Sequence, residues 1–158
     1  MGITVGVDLG GTKILGVALD ADGAIVAEYR IANPRSDAAT AVAALVHVVA
    51  SLDVERSDLT GVGLGLAGLV DGVGVLRYGP NVPGIVDFSV SHELATRFGV
   101  PVLVDNDAAM AALAELDRGA ARGARNAVLV TQGTGIGGAL VVDGAVIAGS
   151  NGFAGEPG

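Results

Sequence analysis

The chain has 158 residues, no cysteine and a formal net charge of −8 at pH 7. These values exclude a disulfide framework or thiolate metal site within the chain, and so acidic a chain is a poor match for a nucleic-acid backbone or an anionic membrane. Hydrophobic residues make up 51% but aromatics only 3%, so disorder is not expected and any core must be built from Val, Leu, Ile and Ala.

In chain order, Ile3 to Leu9 reads as a strand, followed by a Gly-Gly break and a second strand from Ile14 to Leu19. The segment DADG at 20–23 signals a hairpin turn, and Ala24 to Ile31 forms the third strand. After NPRSD a helix is expected, with Val42, Leu45, Val46, Val49 and Leu52 on one face. The apolar stretch from Ala38 to Leu52 is too short to span a bilayer, which takes about 20 apolar residues. The N-terminal MGITVGVDLGG lacks the basic and apolar regions of a signal peptide, so the expected compartment is the cytoplasm.

A strand is expected from Gly61 to Ala67, then the loop GLVDG, a short strand and an irregular loop in GVLRYGPNVPG. Ser91 to Phe98 reads as a short helix closed by Gly99. Pro101 to Val104 is a strand ended by DND, and Ala108 to Asp117 an Ala-rich helix with Ala109, Leu113 and Leu116 on one side. The loop RGAARGAR leads to strands at Asn126 to Thr131, Ala139 to Val142 and Ala145 to Ala148, with a turn at Asp143-Gly144. His47 and His92 lie on expected helices outside any motif, which favours structural or surface roles.

Gly133, Gly135 and Gly138 have the G-x-G-x-x-G spacing of a dinucleotide loop. That loop requires a helix directly after the glycines, with its N-terminal amides on the pyrophosphate. Here the following residues are rich in Val and Ile and are broken by Asp-Gly, so they form a hairpin instead. The segment from Val130 also resembles the one from Val7: each reads strand, glycine loop with a Thr, strand, Asp-Gly turn, strand. The repetition points to a duplicated unit whose two hairpin tips offer backbone N–H groups to phosphates.

Paired hairpins of this kind resemble the phosphate grips of the actin-like, sugar-kinase and Hsp70 superfamily. With VDLGGTK (7–13), GLGLAG (63–68), NVPG (81–84), VDNDAAMAALAE (104–115), TQGTGIGG (131–138) and AGEPG (154–158) in that order, the chain resembles the N-terminal half of a ROK-family sugar kinase, bacterial glucokinases most of all. The implied fold is α/β: an actin-like ATPase (ribonuclease H-like) domain at residues 1–120, with a mixed β-sheet flanked by helices. Residues 121–158 are the expected first strands of a second, similar domain. The implied activity is ATP-dependent phosphorylation of a hexose, glucose to glucose 6-phosphate first, by the full-length protein. A kinase for N-acetylglucosamine, N-acetylmannosamine, mannose or fructose is the alternative, as is a sugar-sensing repressor of the same family. Such repressors carry a winged helix before the first hairpin, which here starts at Ile3. Some relatives use polyphosphate as donor.

The resemblance also implies roles for single residues. Asp8 helps hold Mg²⁺, and Gly10, Gly11, Thr12 and Lys13 contact the ATP phosphates, as do Thr131, Gly133, Thr134 and Gly135. From the residues alone, Asp8 reads equally as a turn residue capping local amides, and Lys13 as a solvated loop charge. Asp107 is the implied general base for the sugar 6-hydroxyl, though Asp at a strand–helix junction also reads as an N-cap. Asp105 occupies the position of the family glutamate and has a supporting role. Asn106, Asn81, Glu156 and the backbone at Gly65 and Gly68 line the sugar site. Asn81 reads otherwise as a turn residue between prolines, and Glu156 as a solvated tail charge.

Pro157 departs from the family's Glu-x-Gly-His, and the sequence reaches Gly158 before the expected His. Full-length members are implied to be about twice this length, with a structural zinc held by downstream cysteines that this chain lacks. The chain is therefore expected to be a fragment, inactive or nearly so, that self-associates through residues 126–148, including by strand swapping.

Overall fold

The computed structural model describes residues 2–79, 86–133 and 135–155. Strands β1 (Ile3–Leu9), β2 (Lys13–Leu19) and β3 (Ile25–Ala32) lead into helix α1 (Ala38–Ala50). Strands β4 (Leu59–Leu66), β5 (Leu69–Val70) and β6 (Leu76–Tyr78) follow, then α2 (Ser91–Phe98), β7 (Val102–Asn106) and α3 (Asp107–Arg118). The chain continues through β8 (Ala127–Gln132), β9 (Ile136–Val142) and β10 (Ala145–Val146).

Five strands form one mixed sheet in the order β3-β2-β1-β4-β7. The first three are an antiparallel meander, whereas β4 runs parallel to both β1 and β7. This is the α/β architecture that the resemblance implies. A second sheet, β10-β9-β8, is antiparallel throughout, and β5 and β6 make a small separate ribbon.

The turns form for local reasons that the sequence displays. Asp143 and Gly144 both have positive φ, 52° and 83°, as a tight two-residue hairpin requires. At the β2–β3 turn the Asp20 carboxylate accepts from the N–H groups of Asp22 and Ala24. Asp37 caps α1 by accepting from the Thr40 N–H at 2.8 Å. Gly99 ends α2 in the left-handed conformation, φ 73°.

The main core lies between the five-stranded sheet and α1 and α2, centred on Val5, Ile14, Leu45, Val48, Leu64, Leu66 and Leu94, all at most 1% exposed. Two helix faces differ from expectation. In α1 Val42, Leu45 and Val49 are buried as expected, but Val48 is fully buried in place of the expected Val46, which is only partly buried. This helix is apolar nearly all round, so tertiary packing rather than periodicity chooses the face. Gly16 on β2 sets that choice, because a Cβ there would stand 2.5 Å from a Val48 methyl.

In α3 the buried residues are Ala108 and Ala112, not Ala109 and Leu113, and Leu113 is exposed. This helix is held between two sheets, so small side chains face the strands. Its Ala112 and Leu116 join Ala127, Leu129, Ala139, Val141 and Val146 in a second, smaller cluster beneath the three-stranded sheet. Residues on the two sides of position 120 thus share α3 as a common wall.

Other differences are of extent. β9 begins at Ile136, three residues before the expected Ala139, because Gly137 and Gly138 pair with Thr131 and Val130. The stretch expected to be the loop GLVDG contains β5, and β10 is shorter than expected.

Candidate active site between two glycine hairpins

The site assembles at the carboxyl ends of β1, β4 and β7, where ligands collect in open α/β sheets. Asp8 stands near the end of β1, opposite Gly65 of β4 in the strand register. Gly65 matters for what it omits: a Cβ there would lie 3.4 Å from the Cα of Asp107. Its bare backbone lets the first residue of α3 settle against β4. On the other side, a Cβ on Gly137 of β9 would lie 3.7 Å from the Cβ of Ala108 and 2.9 Å from the Thr131 hydroxyl. Glycines on both sheets therefore bring Asp107, Ala108 and Thr131 close together.

The first hairpin tip, between β1 and β2, is closed by the Gly10 N–H donating to the Lys13 carbonyl at 3.0 Å. Among the described residues, the N–H groups of Gly11 and Thr12 have no acceptor. The second tip, between β8 and β9, is closed by the Gly133 N–H donating to the Gly135 carbonyl at 2.9 Å. A cleft of about 590 Å³ runs between the tips. It is lined by Asp8, Gly10, Gly11, Thr12 and Lys13 from one side and by Thr131, Gly133 and Gly135 from the other, with Gly68, Asn106 and Asp107 at its base. Gly65 lines an adjoining cavity together with Asp8, Asp107 and Thr131.

Both carboxyl groups in this region are electrostatically unusual. Burial pushes the Asp8 carboxyl above the ordinary aspartate value, the negative charge of Asp107 pushes it further, and Lys13 partly offsets both. Burial likewise raises Asp107, against the lowering effect of backbone N–H groups at the start of α3. Such a pair attracts a divalent cation. Mg²⁺ needs only one or two carboxylates when phosphates and water complete its shell, so Asp8 fits that role. No group of three His, Cys, Asp or Glu side chains that could hold a metal unaided occurs among the described residues. The chain has no cysteine, so it holds none of the thiolates that the resemblance implies for a structural zinc.

Asn106 is 7% exposed. Its Oδ1 caps α3 by accepting from the Ala109 N–H at 3.0 Å, and its Nδ2 donates to the Gly68 carbonyl at 3.0 Å. What the described contacts show of Asn106 is thus a brace that ties the start of α3 to the loop after β4. The helix cap is Asn106 rather than Asp107, which occupies the first turn. Gly68 has φ 148°, and a Cβ there would stand 2.3 Å from the Tyr78 carbonyl, so this position requires glycine. Asp105, near the end of β7, accepts from the N–H of the next residue, Asn106, at 2.7 Å. Asn81, Thr134 and Glu156 lie outside the described residues.

Tyr78 and Gln132 also line the cleft, as does Gly137, and sequence reasoning did not single them out. Tyr78 is 57% exposed. Gln132 could have been found from its place inside the glycine motif, whereas Gly137 looks like any other glycine until the two sheets are placed together. No helix of the described residues is long and apolar enough to cross a membrane.

Comparison with known proteins agrees with this geometry. A glucokinase from Halalkalibacterium halodurans is 39% identical over 98% of this chain and 48% of its own length. An N-acetyl-D-glucosamine kinase from Photobacterium profundum is 35% identical, covering 97% of this chain and 50% of its own length. The crystal structure of a ROK family glucokinase from Streptomyces griseus in complex with glucose and AMPPNP superposes with a TM-score of 0.87 at 34% identity, covering 98% of this chain and 49% of that one. The chain spans about half the length of the relatives it matches. The family model for ROK matches residues 4–158, and the chain belongs to the ROK family.

Proposed function

We propose that the whole protein to which this chain corresponds is a cytoplasmic sugar kinase that transfers the γ-phosphoryl group of ATP to the 6-hydroxyl of a hexose, with glucose the leading substrate. The observation that carries this reading is the convergence of Asp8 and Asp107 at the base of a cleft walled by two glycine hairpins. The neighbour from S. griseus, with its glucose and ATP analogue, supports both ligand classes.

Phosphoryl transfer asks a protein mainly for positioning and for stabilisation of charge. The tips around Gly11–Thr12 and Gly133–Gly135 supply N–H groups to the phosphates. Asp8 would hold Mg²⁺, which when bound offsets phosphate charge, and Lys13 adds a positive charge beside it. Asp107 accepts the proton of the sugar hydroxyl as that oxygen bonds to the γ-phosphorus and the bond to the ADP oxygen breaks. A raised pKa makes the Asp107 carboxylate a stronger base, so the shift and the task agree. Asn106 and Gly68 hold the sugar-side loop, with Asn81 and Glu156 as further sugar ligands. In this reading residues 1–120 form one domain and 121–158 open a second.

The N-acetylglucosamine kinase relative favours a second reading, the same chemistry on an N-acetylated hexose. The test is ADP release by the whole protein with Mg·ATP, or with polyphosphate as donor, and a panel of hexoses. Turnover with glucose supports the first reading. Turnover with N-acetylglucosamine alone selects the second, and no sugar-dependent turnover rejects both.

A further inference from the structure

Asn33 follows the last residue of β3 and lies outside every motif in the sequence, yet it touches the first glycine loop at two points. Its Nδ2 donates to the Gly10 carbonyl at 2.7 Å, and its backbone N–H donates to the Thr12 carbonyl at 3.0 Å. The side-chain orientation is fixed by a third contact: Oδ1 accepts from the Arg35 N–H at 2.9 Å, which leaves Nδ2 to face Gly10. Pro34 helps further, since a residue before proline is driven towards extended backbone. The amide is half-buried, so water competes with these contacts less than it would at an open surface.

The geometry points to Asn33 as the residue that positions the triphosphate grip. A peptide group that turns its carbonyl one way turns its N–H the other. By engaging the carbonyls of Gly10 and Thr12, Asn33 fixes the Gly10–Gly11 and Thr12–Lys13 peptide planes, which bracket the Gly11–Thr12 peptide at the tip of the loop. The Gly10 carbonyl belongs to the same peptide plane as the Gly11 N–H, so the 2.7 Å bond sets the direction of that donor. Without it the Gly-Gly segment, which has no side chains to restrain it, samples other peptide orientations. Any one of those aims a carbonyl oxygen at phosphate, which repels it. Asn33 does not itself line the cleft, so it acts through the loop and not on the ligand. This role rests on the phosphate-grip reading proposed above.

The experiment uses the ¹⁵N-labelled chain and magnesium tripolyphosphate as probe, with Asn33→Ala and the isosteric Asn33→Asp. The second variant keeps the volume and the Arg35 contact but sets a carboxylate oxygen against the Gly10 carbonyl. In wild type the Gly11 and Thr12 amide signals should move on titration. Both variants should keep their core signals, at Val5 and Ile14 for example, and bind the probe about tenfold more weakly, the scale of one lost hydrogen bond. In turnover by the whole protein, KM for the nucleotide should rise about tenfold while KM for the sugar holds, a split that general loss of stability does not produce. If wild type responds and both variants bind equally well, Asn33 has no positioning role and the phosphate-grip reading stands. If the wild-type Gly11 and Thr12 signals do not move at saturating probe, the grip reading falls and the role of Asn33 falls with it.

Discussion

Asp107 sits against Gly65, and Gly65 pairs in register with Asp8, so a single glycine on β4 separates the two carboxylates of the site. The negative charge of Asp107 is felt at Asp8, and burial raises both groups. A raised aspartate binds its proton more tightly in the folded state than in the unfolded one. Each group therefore costs stability above its folded pKa, and that stability returns as pH falls towards the unfolded value. Asp107→Asn removes one of these costs. At pH 7 the variant should melt at a higher temperature than wild type while turnover falls by roughly 10²–10⁴, the range for loss of a general base. Calorimetry and ADP release together check this. A variant with lower melting temperature and intact turnover would mean that Asp107 is a structural residue.

The same pair predicts a pH profile. The base works only when deprotonated, so kcat should decline on the acid side through a pKa above the ordinary aspartate value. Since bound Mg²⁺ opposes the charge at Asp8, raising Mg²⁺ should also stabilise the fold, and more so above the folded pKa of Asp8 than below it. A Mg²⁺ titration followed by thermal unfolding over a pH series that runs down through the titration of Asp8 measures the difference, with Asp8→Asn as the reference. A Mg²⁺ effect that is the same in Asp8→Asn as in wild type at every pH would argue against Asp8 as the ligand.

Gly68 and Asn106 form the other fixed point. An alanine at Gly68 would meet the Tyr78 carbonyl at 2.3 Å and must adopt φ near 148°. Gly68→Ala should cost about 2–4 kcal/mol, from backbone strain and overpacking together. Asn106→Ser keeps a cap oxygen for the Ala109 N–H and gives up the reach to Gly68, whereas Asn106→Ala loses both. The alanine variant should be less stable than the serine variant by about 1 kcal/mol, the usual worth of a cap. Denaturant unfolding resolves that gap. Both variants should raise KM for the sugar, because both release the loop that Asn106 holds.

The legible parts of this fold are those that local chemistry dictates. Asp143-Gly144 announces a tight hairpin because both positions need positive φ, and that turn is what separates the second glycine motif from a dinucleotide loop. The motifs also brought most of the expected phosphate-side residues into one cleft. What was not legible depends on pairs of elements. The buried face of α3 passes through Ala108 and Ala112 because two sheets press on it, which helical periodicity cannot register. Gly137 gains its meaning only when β9 meets α3. The motif gives Asn106 as a sugar-site residue, and its second part, bracing Gly68 and capping α3 at Ala109, appears only when β4, β7 and α3 are placed together. Asn33 carries no motif at all, and its contacts span 23 positions in the chain.

The outer face of the three-stranded sheet leads to the last prediction. Ala127, Leu129, Ala139 and Val141 face α3, and by alternation Val128, Val130, Leu140 and Val142 point the other way. Val128 is 71% exposed and Val130 63%, and Val128 pairs with Leu140 across the strands, which makes the patch continuous. β8 also forms an edge of that sheet, with backbone groups available for pairing. Apolar side chains on an open edge draw chains together, so the 158-residue chain should self-associate through β8, by edge pairing or by exchange of the β8–β10 unit. Lysine at an edge opposes both routes through charge repulsion and the cost of burying it. Val128→Lys with Val130→Lys should therefore shift the chain towards monomer without unfolding the main core, which lies on the far side of α3. Light scattering over a hundredfold range of concentration reads the mass directly. A wild-type chain that stays monomeric throughout that range would show that this face does not drive association.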